Sequence, residues 1–132
     1  MLARDVMTED PMTLRPNNPL RDALVVLRTL EIRHLPIVDR AHVLVGMLSD
    51  RDFRAPALVP EDPQDRRLER PIADLMTGDV LSVQLDAPLS DVIDLMIEQR
   101  IGAVPVTDAE GQLVGIVSYV DVLRELRAAA DT

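Results

Sequence analysis

Leu44-Val45-Gly46-Met47-Leu48-Ser49-Asp50-Arg51-Asp52 returns 69 positions later as Leu113-Val114-Gly115-Ile116-Val117-Ser118-Tyr119-Val120-Asp121. Outward from this stretch, residues 5–53 align with 74–122 without a gap, and 15 of the 49 pairs are identical. The identities include Met7-Thr8 over Met76-Thr77, Pro19-Leu20 over Pro88-Leu89, and Pro36 over Pro105. A repeat at one fixed offset is a single supersecondary unit used twice, and two such units need each other to close a core. A site built from one copy is therefore expected in two, related by a pseudo-twofold.

The 132 residues suffice for one compact module with a core of its own. Its organisation reads as repeat 1 over 1–54, a linker over 55–71 and repeat 2 over 72–130. Phe53 and Tyr119 are the only aromatics among 47% apolar residues, so the core must be aliphatic. No apolar run approaches the ~20 residues of a membrane span, and the N-terminus lacks a basic-then-apolar signal pattern. A cytoplasmic, non-membrane protein is expected. The chain has no cysteine, which excludes disulfides and thiolate chemistry. A net charge of −9 argues against nucleic acid as a partner. All 14 basic residues are arginine, so a phosphate contact would have to come from Arg, His or backbone N–H groups.

Each repeat reads as a helical start, short strand, helix, strand, turn, strand and helix. Met12-Thr13-Leu14 is a brief extended piece, and Pro19 suits the first turn of a helix. Leu20, Ala23, Leu24, Leu27 and Leu30 mark one face of that helix. Leu35–Val38 and Val43–Leu48 read as strands around the turn Asp39–His42. Ser49 opens a helix that Pro56 stops. The second copy follows suit, with Val80–Val83 extended and Leu89, Val92, Ile93 and Met96 on a helix face. Its strands are Val104–Thr107 and Leu113–Val117, and Tyr119, Val122, Leu123 and Leu126 share a face of the last helix. Four prolines among charges mark Ala55–Pro71 as linker, with room for a helical turn around Gln64–Glu69.

The sharpest local signal is Gly46-x-x-Ser49-x-x-Asp52, repeated as Gly115-x-x-Ser118-x-x-Asp121. A strand ends, glycine permits close approach, and a helix begins at Ser, where free N–H groups suit a phosphate. An Asp one turn in can accept hydrogen bonds from a ribose diol. Taken once, Ser-x-x-Asp is an ordinary capping box and the glycine a packing residue. Taken twice at one offset inside a βαββα repeat, it reads as a ligand motif.

These pieces, in order and twice, resemble the tandem cystathionine-β-synthase (CBS) domain pair, or Bateman module. The matching stretches are Val6-Met7-Thr8 and Leu75-Met76-Thr77 at the repeat starts. Ile32-Arg33-His34-Leu35-Pro36-Ile37-Val38-Asp39 matches Ile101-Gly102-Ala103-Val104-Pro105-Val106-Thr107-Asp108, and the Gly-x-x-Ser-x-x-Asp endings complete the set. The resemblance covers residues 1–127. It implies an α+β fold of two βαββα repeats packed into a disc, with adenosine-containing ligands in clefts between the repeats. It further implies that Asp52 and Asp121 take ribose and that Ser49 and Ser118 sit near phosphate. The backbone at His34–Pro36 and Ala103–Pro105 would face the base, with Thr13 and Ser82 at the cleft wall.

The repeats are unequally equipped for anions: Arg33, His34 and Arg51 stand against Gly102, Ala103 and Val120. The Arg-His pair resembles the basic pair that nucleotide-sensing members point at phosphate. Arg33 also reads as a surface ion pair, His34 as a backbone-bonded buried histidine, and Arg51 as a solvated charge.

No nucleophile–base constellation or zinc-like ligand set is present, so no enzyme is expected. The expected role is a regulatory sensor that binds AMP, ADP, ATP, S-adenosylmethionine or NAD. It needs no resident cofactor, although ATP could bring Mg²⁺. The ligand would bias the arrangement of the repeats, and an unidentified regulated protein would read it. The resemblance also implies a homodimer. The alternative is a dimerisation or docking module that binds no small molecule.

Overall fold

The computed structural model describes residues 1–54 and 65–131. Most of the linker, including Gln64, lies outside them; Arg66–Glu69 forms the anticipated turn of helix, of 3₁₀ type. The elements in chain order are α1 (Ala3–Val6), β1 (Thr8–Glu9), α2 (Leu20–Thr29), β2 (His34–Val38) and β3 (Leu44–Ser49). After the linker come β4 (Val83–Gln84), α3 (Leu89–Gln99), β5 (Ala103–Thr107), β6 (Leu113–Ser118) and α4 (Tyr119–Ala130). The fold is α+β. No helix among the described residues is long and apolar enough to cross a membrane.

The chain forms two compact units, and they do not coincide with the sequence repeats. One unit is Met12–Val80; the other joins Met1–Pro11 to Leu81–Thr132. In the second, the strand order is β1-β6-β5-β4, antiparallel except for the parallel pair β4/β5. The first unit has the same plan with its flanks reduced to single bridges. Leu14 pairs with Ile37 as Val83 pairs with Val106, and Thr77 pairs with Met47 as Thr8 pairs with Ile116.

The opening segment of each repeat is thus built into the unit of the other, and the bonds that hold it obey the 69-residue offset. The Ala3 N–H donates to the Ala87 carbonyl and the Ile72 N–H to the Asn18 carbonyl, both at 2.8 Å. The Leu89 N–H donates to Met1 (2.9 Å) and the Leu20 N–H to Arg70 (2.8 Å). Ala3 and Ile72 are both fully buried at these junctions.

This exchange explains the motif glycines. A β-carbon at Gly115 would stand 2.4 Å from Met7 Sδ and 3.0 Å from the Thr8 carbonyl oxygen. One at Gly46 would stand 2.4 Å from Met76 Sδ and 3.2 Å from the Thr77 oxygen. The close approach is therefore made by the Met-Thr of the other repeat, so the packing reading of these glycines holds. It also explains a proline inside β2. Met47, opposite Pro36, spends its N–H and carbonyl on Thr77 (3.0 and 2.9 Å), so no donor is required of position 36 on that side.

The first core gathers Leu20, Ala23 and Leu27 of α2 over Leu35, Ile37 and Leu48, closed by Phe53, Leu68 and Ile72. Burying one such leucine or isoleucine contributes about 1.5–3 kcal/mol. The second core is smaller: Ala3, Val92, Val104, Val106 and Val117. Three expectations need correction. Leu30 lies past the end of α2 as its C-cap and is 51% exposed, so it does not extend the buried face. The helix expected at Ser49 is a 3₁₀ turn, Asp50–Arg54, with Phe53 alone buried. On α4, only Val122 is packed against the core; Leu123 and Leu126 are 53% and 61% exposed.

Replacing Gly115 by alanine must displace Met7 and strain the β1/β6 pairing, and a loss of about 1–3 kcal/mol in urea unfolding is expected. Gly115→Ala combined with Met7→Ala should cost at least ~0.5 kcal/mol less than the sum of the single changes. Strict additivity would show that the contact does not exist.

Candidate functional site

Both ligand motifs stand where a central hairpin ends. In the first unit β2 starts at His34 and β3 ends at Ser49, and these residues face each other across the ladder. Beyond them the Asp50 N–H donates to the Arg33 carbonyl at 3.0 Å, fixing the turn into Asp50–Arg54. In the second unit Ala103 faces Ser118, and the Tyr119 N–H donates to the Gly102 carbonyl at 2.9 Å. The same backbone frame therefore carries Arg33-His34 in one copy and Gly102-Ala103 in the other.

Within each motif the serine and aspartate are joined. Asp52 Oδ2 accepts from the Ser49 N–H (2.7 Å) and hydroxyl (3.2 Å). Asp121 Oδ2 accepts from the Ser118 N–H (2.8 Å) and hydroxyl (3.1 Å). Ser118 is the N-cap of α4 and completes a reciprocal capping box, with its hydroxyl oxygen 3.3 Å from the Asp121 N–H that donates to it. The cap occupies one carboxylate oxygen only. Among the described residues, Asp52 Oδ1 has no hydrogen-bond partner, and Asp121 Oδ1 has only the Arg124 guanidinium at 3.8 Å. The same aspartate can therefore cap its turn with Oδ2 and offer Oδ1 to a hydroxyl-bearing ligand. Capping and ligand binding do not compete.

The first site carries Arg33, His34 and Arg51 where the second has Gly102, Ala103 and Val120. His34 is half-buried, and burial pushes its imidazole below the ordinary value of 6.5. Asp50 and Asp52 pull it up, while Arg33 and Arg51 push it down, so these five groups share one electrostatic neighbourhood. Arg33 and Arg51 are exposed. The second copy has Tyr119 and Val120 in place of Asp50 and Arg51, exposed at the start of α4.

A family model for the CBS domain matches residues 3–55 and 72–128. The chain belongs to the CBS domain family. The CBS pair is a regulatory type of module, and the relatives of this one include parts of larger proteins. Inosine-5′-monophosphate dehydrogenase of Methanocaldococcus jannaschii is 31% identical over 122 residues, which is 92% of this chain but 23% of the enzyme. Two solved structures superpose at a TM-score of 0.85, each covering 98% of both chains. One is a CBS domain pair in complex with 5′-methylthioadenosine and S-adenosyl-L-methionine, 31% identical. The other is CBSX2 in complex with AMP, 29% identical.

Within this CBS pair the anticipated residues fall into distinct groups. Arg33, His34, Ser49, Arg51 and Asp52 assemble at one end of the first hairpin, as Ala103, Ser118 and Asp121 do in the second. Pro36 and Pro105 are almost fully buried and Ala103 is 5% exposed, so their side chains shape the strands rather than a surface. Ser82 is exposed just before β4. Thr13 lies elsewhere: it lines a cavity with Arg15, Asn18, Asp39, Arg40 and His42, at the turn end of the first hairpin. Sequence reasoning missed that cavity, and it missed Asp50 as the neighbour that most raises His34. The mismatched pairs Arg15/Gln84, Arg40/Ala109 and His42/Gly111 were the available signal.

The depressed His34 pKa has a sign that can be measured. The unfolded chain takes up a proton near pH 6.5 that the folded chain resists. Stability from the neutral imidazole is thus complete above that pH and is lost as pH falls through the lowered folded value. Urea unfolding of the wild type should weaken more between about pH 7.5 and pH 5 than that of His34→Ala, which carries the residue of the second copy. Parallel pH curves would place His34 in water.

Proposed function

We propose that this CBS pair is a cytoplasmic regulatory sensor that binds an adenosyl ligand at its Gly-x-x-Ser-x-x-Asp motifs and performs no catalysis. The observation that carries the reading is an Oδ1 with no hydrogen bond from a described residue, beside a serine hydroxyl at the same strand end in both copies. A carboxylate oxygen so held is oriented for a ribose diol, and its strong acceptor character favours charge-assisted bonds. The adenosyl ligands in two similar CBS-pair structures support the same reading. The first site, with Arg33, His34 and Arg51, suits a phosphate-bearing ligand such as AMP, ADP or ATP, the last with its Mg²⁺. The second, with Gly102 and Ala103, suits an uncharged adenosyl moiety. Binding energy that differs between conformations shifts their populations, and a regulated protein reads the shift.

Thermal melting with AMP, ADP, ATP, S-adenosylmethionine and NAD tests this. A ligand at a hundred times its Kd adds about 2.7 kcal/mol, which raises Tm by roughly several degrees. Asp52→Asn and Asp121→Asn separate the two duties of the carboxylate. Asparagine keeps one oxygen for the cap but presents an N–H₂ where the free oxygen stood. Each variant should melt within about a degree or two of wild type yet lose at least about tenfold in affinity at one site. Flat melts across the panel at millimolar ligand would leave a docking module without a small-molecule function.

Self-association belongs to the same proposal, with a second copy of the chain as partner. Tyr119, Leu123 and Leu126 recur at helical spacing on α4 and are 37%, 53% and 61% exposed. An apolar stripe of this kind on a soluble module marks an interaction face, and twofold pairing is the commonest way to cover one. Light scattering should give twice the chain mass for wild type and the monomer mass for Leu123→Glu. A monomeric wild type would refute the pairing.

A further inference from the structure

A cavity of about 330 Å³ opens at the turn end of the first hairpin, within the Met12–Val80 unit. It is four residues along β2 from His34, or about 13 Å at ordinary strand rise. Its size falls at the lower end of small-ligand pockets. The polar groups in its wall are Thr13, Arg15, Asn18, Asp39, Arg40 and His42.

Nearly all of that chemistry donates. Asn18 Oδ1 accepts from the Arg15 N–H at 2.8 Å, which leaves the side-chain N–H₂ as the free end of the amide. The one anion, Asp39, spends Oδ1 on the fold: it accepts from the Ala41 and Val43 N–H groups at 2.9 and 3.0 Å and so builds the turn, leaving a single carboxylate against two guanidiniums. Arg15 and Arg40 form no ion pair with any described residue. Two guanidiniums outweigh one carboxylate in this wall, and with the amide N–H₂ they match a ligand that is anionic and rich in acceptors.

The duplication supplies the control. Asp108 Oδ1 accepts from the Glu110 and Gln112 N–H groups, both at 2.9 Å, so the second hairpin has the same turn. Gly111 occupies the left-handed position there (φ 82°), and His42 occupies it in the first (φ 64°). In that shared frame, Arg15, Asn18, Arg40 and His42 are replaced by Gln84, Ala87, Ala109 and Gly111. The turn therefore folds without the basic groups, and His42 sits where a β-carbon is disfavoured. Arg40 and His42 are therefore not explained by the turn they stand on.

We propose that this hairpin-end cavity is a second ligand site, separate from the Ser49/Asp52 motif, that takes a small phosphate-bearing anion. The forked guanidiniums of Arg15 and Arg40 bind the phosphate oxygens, and Asn18 and Thr13 complete the donor set. His42 adds a further donor at the rim. The phosphate can be free or carried on a small organic body.

Amide NMR titrations of the full chain with inorganic pyrophosphate, glycerol 3-phosphate and malonate test it, at low ionic strength. Saturable shifts are expected at residues 13–18 and 39–43 with both phosphates, and pyrophosphate against the ester shows whether an organic body adds affinity. The variant Arg15→Gln/Arg40→Ala/His42→Gly installs the residues of the second hairpin and should bind both at least about tenfold more weakly. Its affinity for AMP should stay at the wild-type value, and its Tm should not fall, since glycine adopts the left-handed position of His42 without steric cost. Arg15→Gln alone provides the same reading, more weakly, should the triple variant melt early. Shifts confined to residues 49–54, unchanged binding by the triple variant, or malonate binding as tightly as the phosphates would each overturn the proposal.

Discussion

Met7 lies so close over Gly115, and Met76 over Gly46, that neither glycine can carry a β-carbon without moving a methionine. The rest of the architecture depends on this contact. The strand behind each methionine flanks the neighbouring sheet through Thr8–Ile116 or Thr77–Met47, and the residues before it bury Ala3 or Ile72 at the foot of a helix. Neither sequence repeat contains a whole unit, because each lends its opening segment away. A half-chain would leave a glycine groove uncovered and a sheet flank unpaired. Each unit therefore needs residues of both repeats.

The same constraint places the candidate ligand motifs. A glycine forced by the Met-Thr crossing sits three residues before the serine in both copies, so the strand always delivers that serine to the same end of its hairpin. From there, Asp52 and Asp121 are held by their own caps with two bonds to a single oxygen. Preorganisation of this kind lowers the entropy that a ligand would otherwise have to offset on binding. The ordinary cap and the ribose contact, which look like rival readings of Ser-x-x-Asp, become two uses of one carboxylate.

The fold was legible because the repeat doubles every signal: the proline-led helices, the β-hairpins and their Asp-built turns all appear at one offset and in the anticipated places. The exchange of opening segments was not legible, since periodicity reports which residues are buried and not which core receives them. Ser49 reads as the start of a helix, yet the chain there makes only a 3₁₀ turn, because Phe53 must drop into the first core. Tyr119, Leu123 and Leu126 carry the helical pattern of a core face, and only the fold reveals that this face is left open. At the site, the Ser–Asp pairs were readable from spacing. The bond that frees Oδ1 was not, and neither was the separation of Thr13 from the residues it was grouped with.

Charge divides the two copies more sharply than any single pair of residues does. Between positions 5 and 53 there are six arginines and both histidines; the aligned stretch 74–122 has only Arg100. Bland drift on an acidic protein would scatter such losses over exposed faces. Here they concentrate at the two ends of one hairpin, with Arg33, His34 and Arg51 at one end and Arg15, Arg40 and His42 at the other. Between the ends run the strand residues Leu35, Pro36 and Ile37, all fully buried, which separate two basic surfaces by an apolar rod. Anions bound at the two ends would therefore not share a donor. Coupling between them would have to pass through β2 and β3, the two strands that carry both ends.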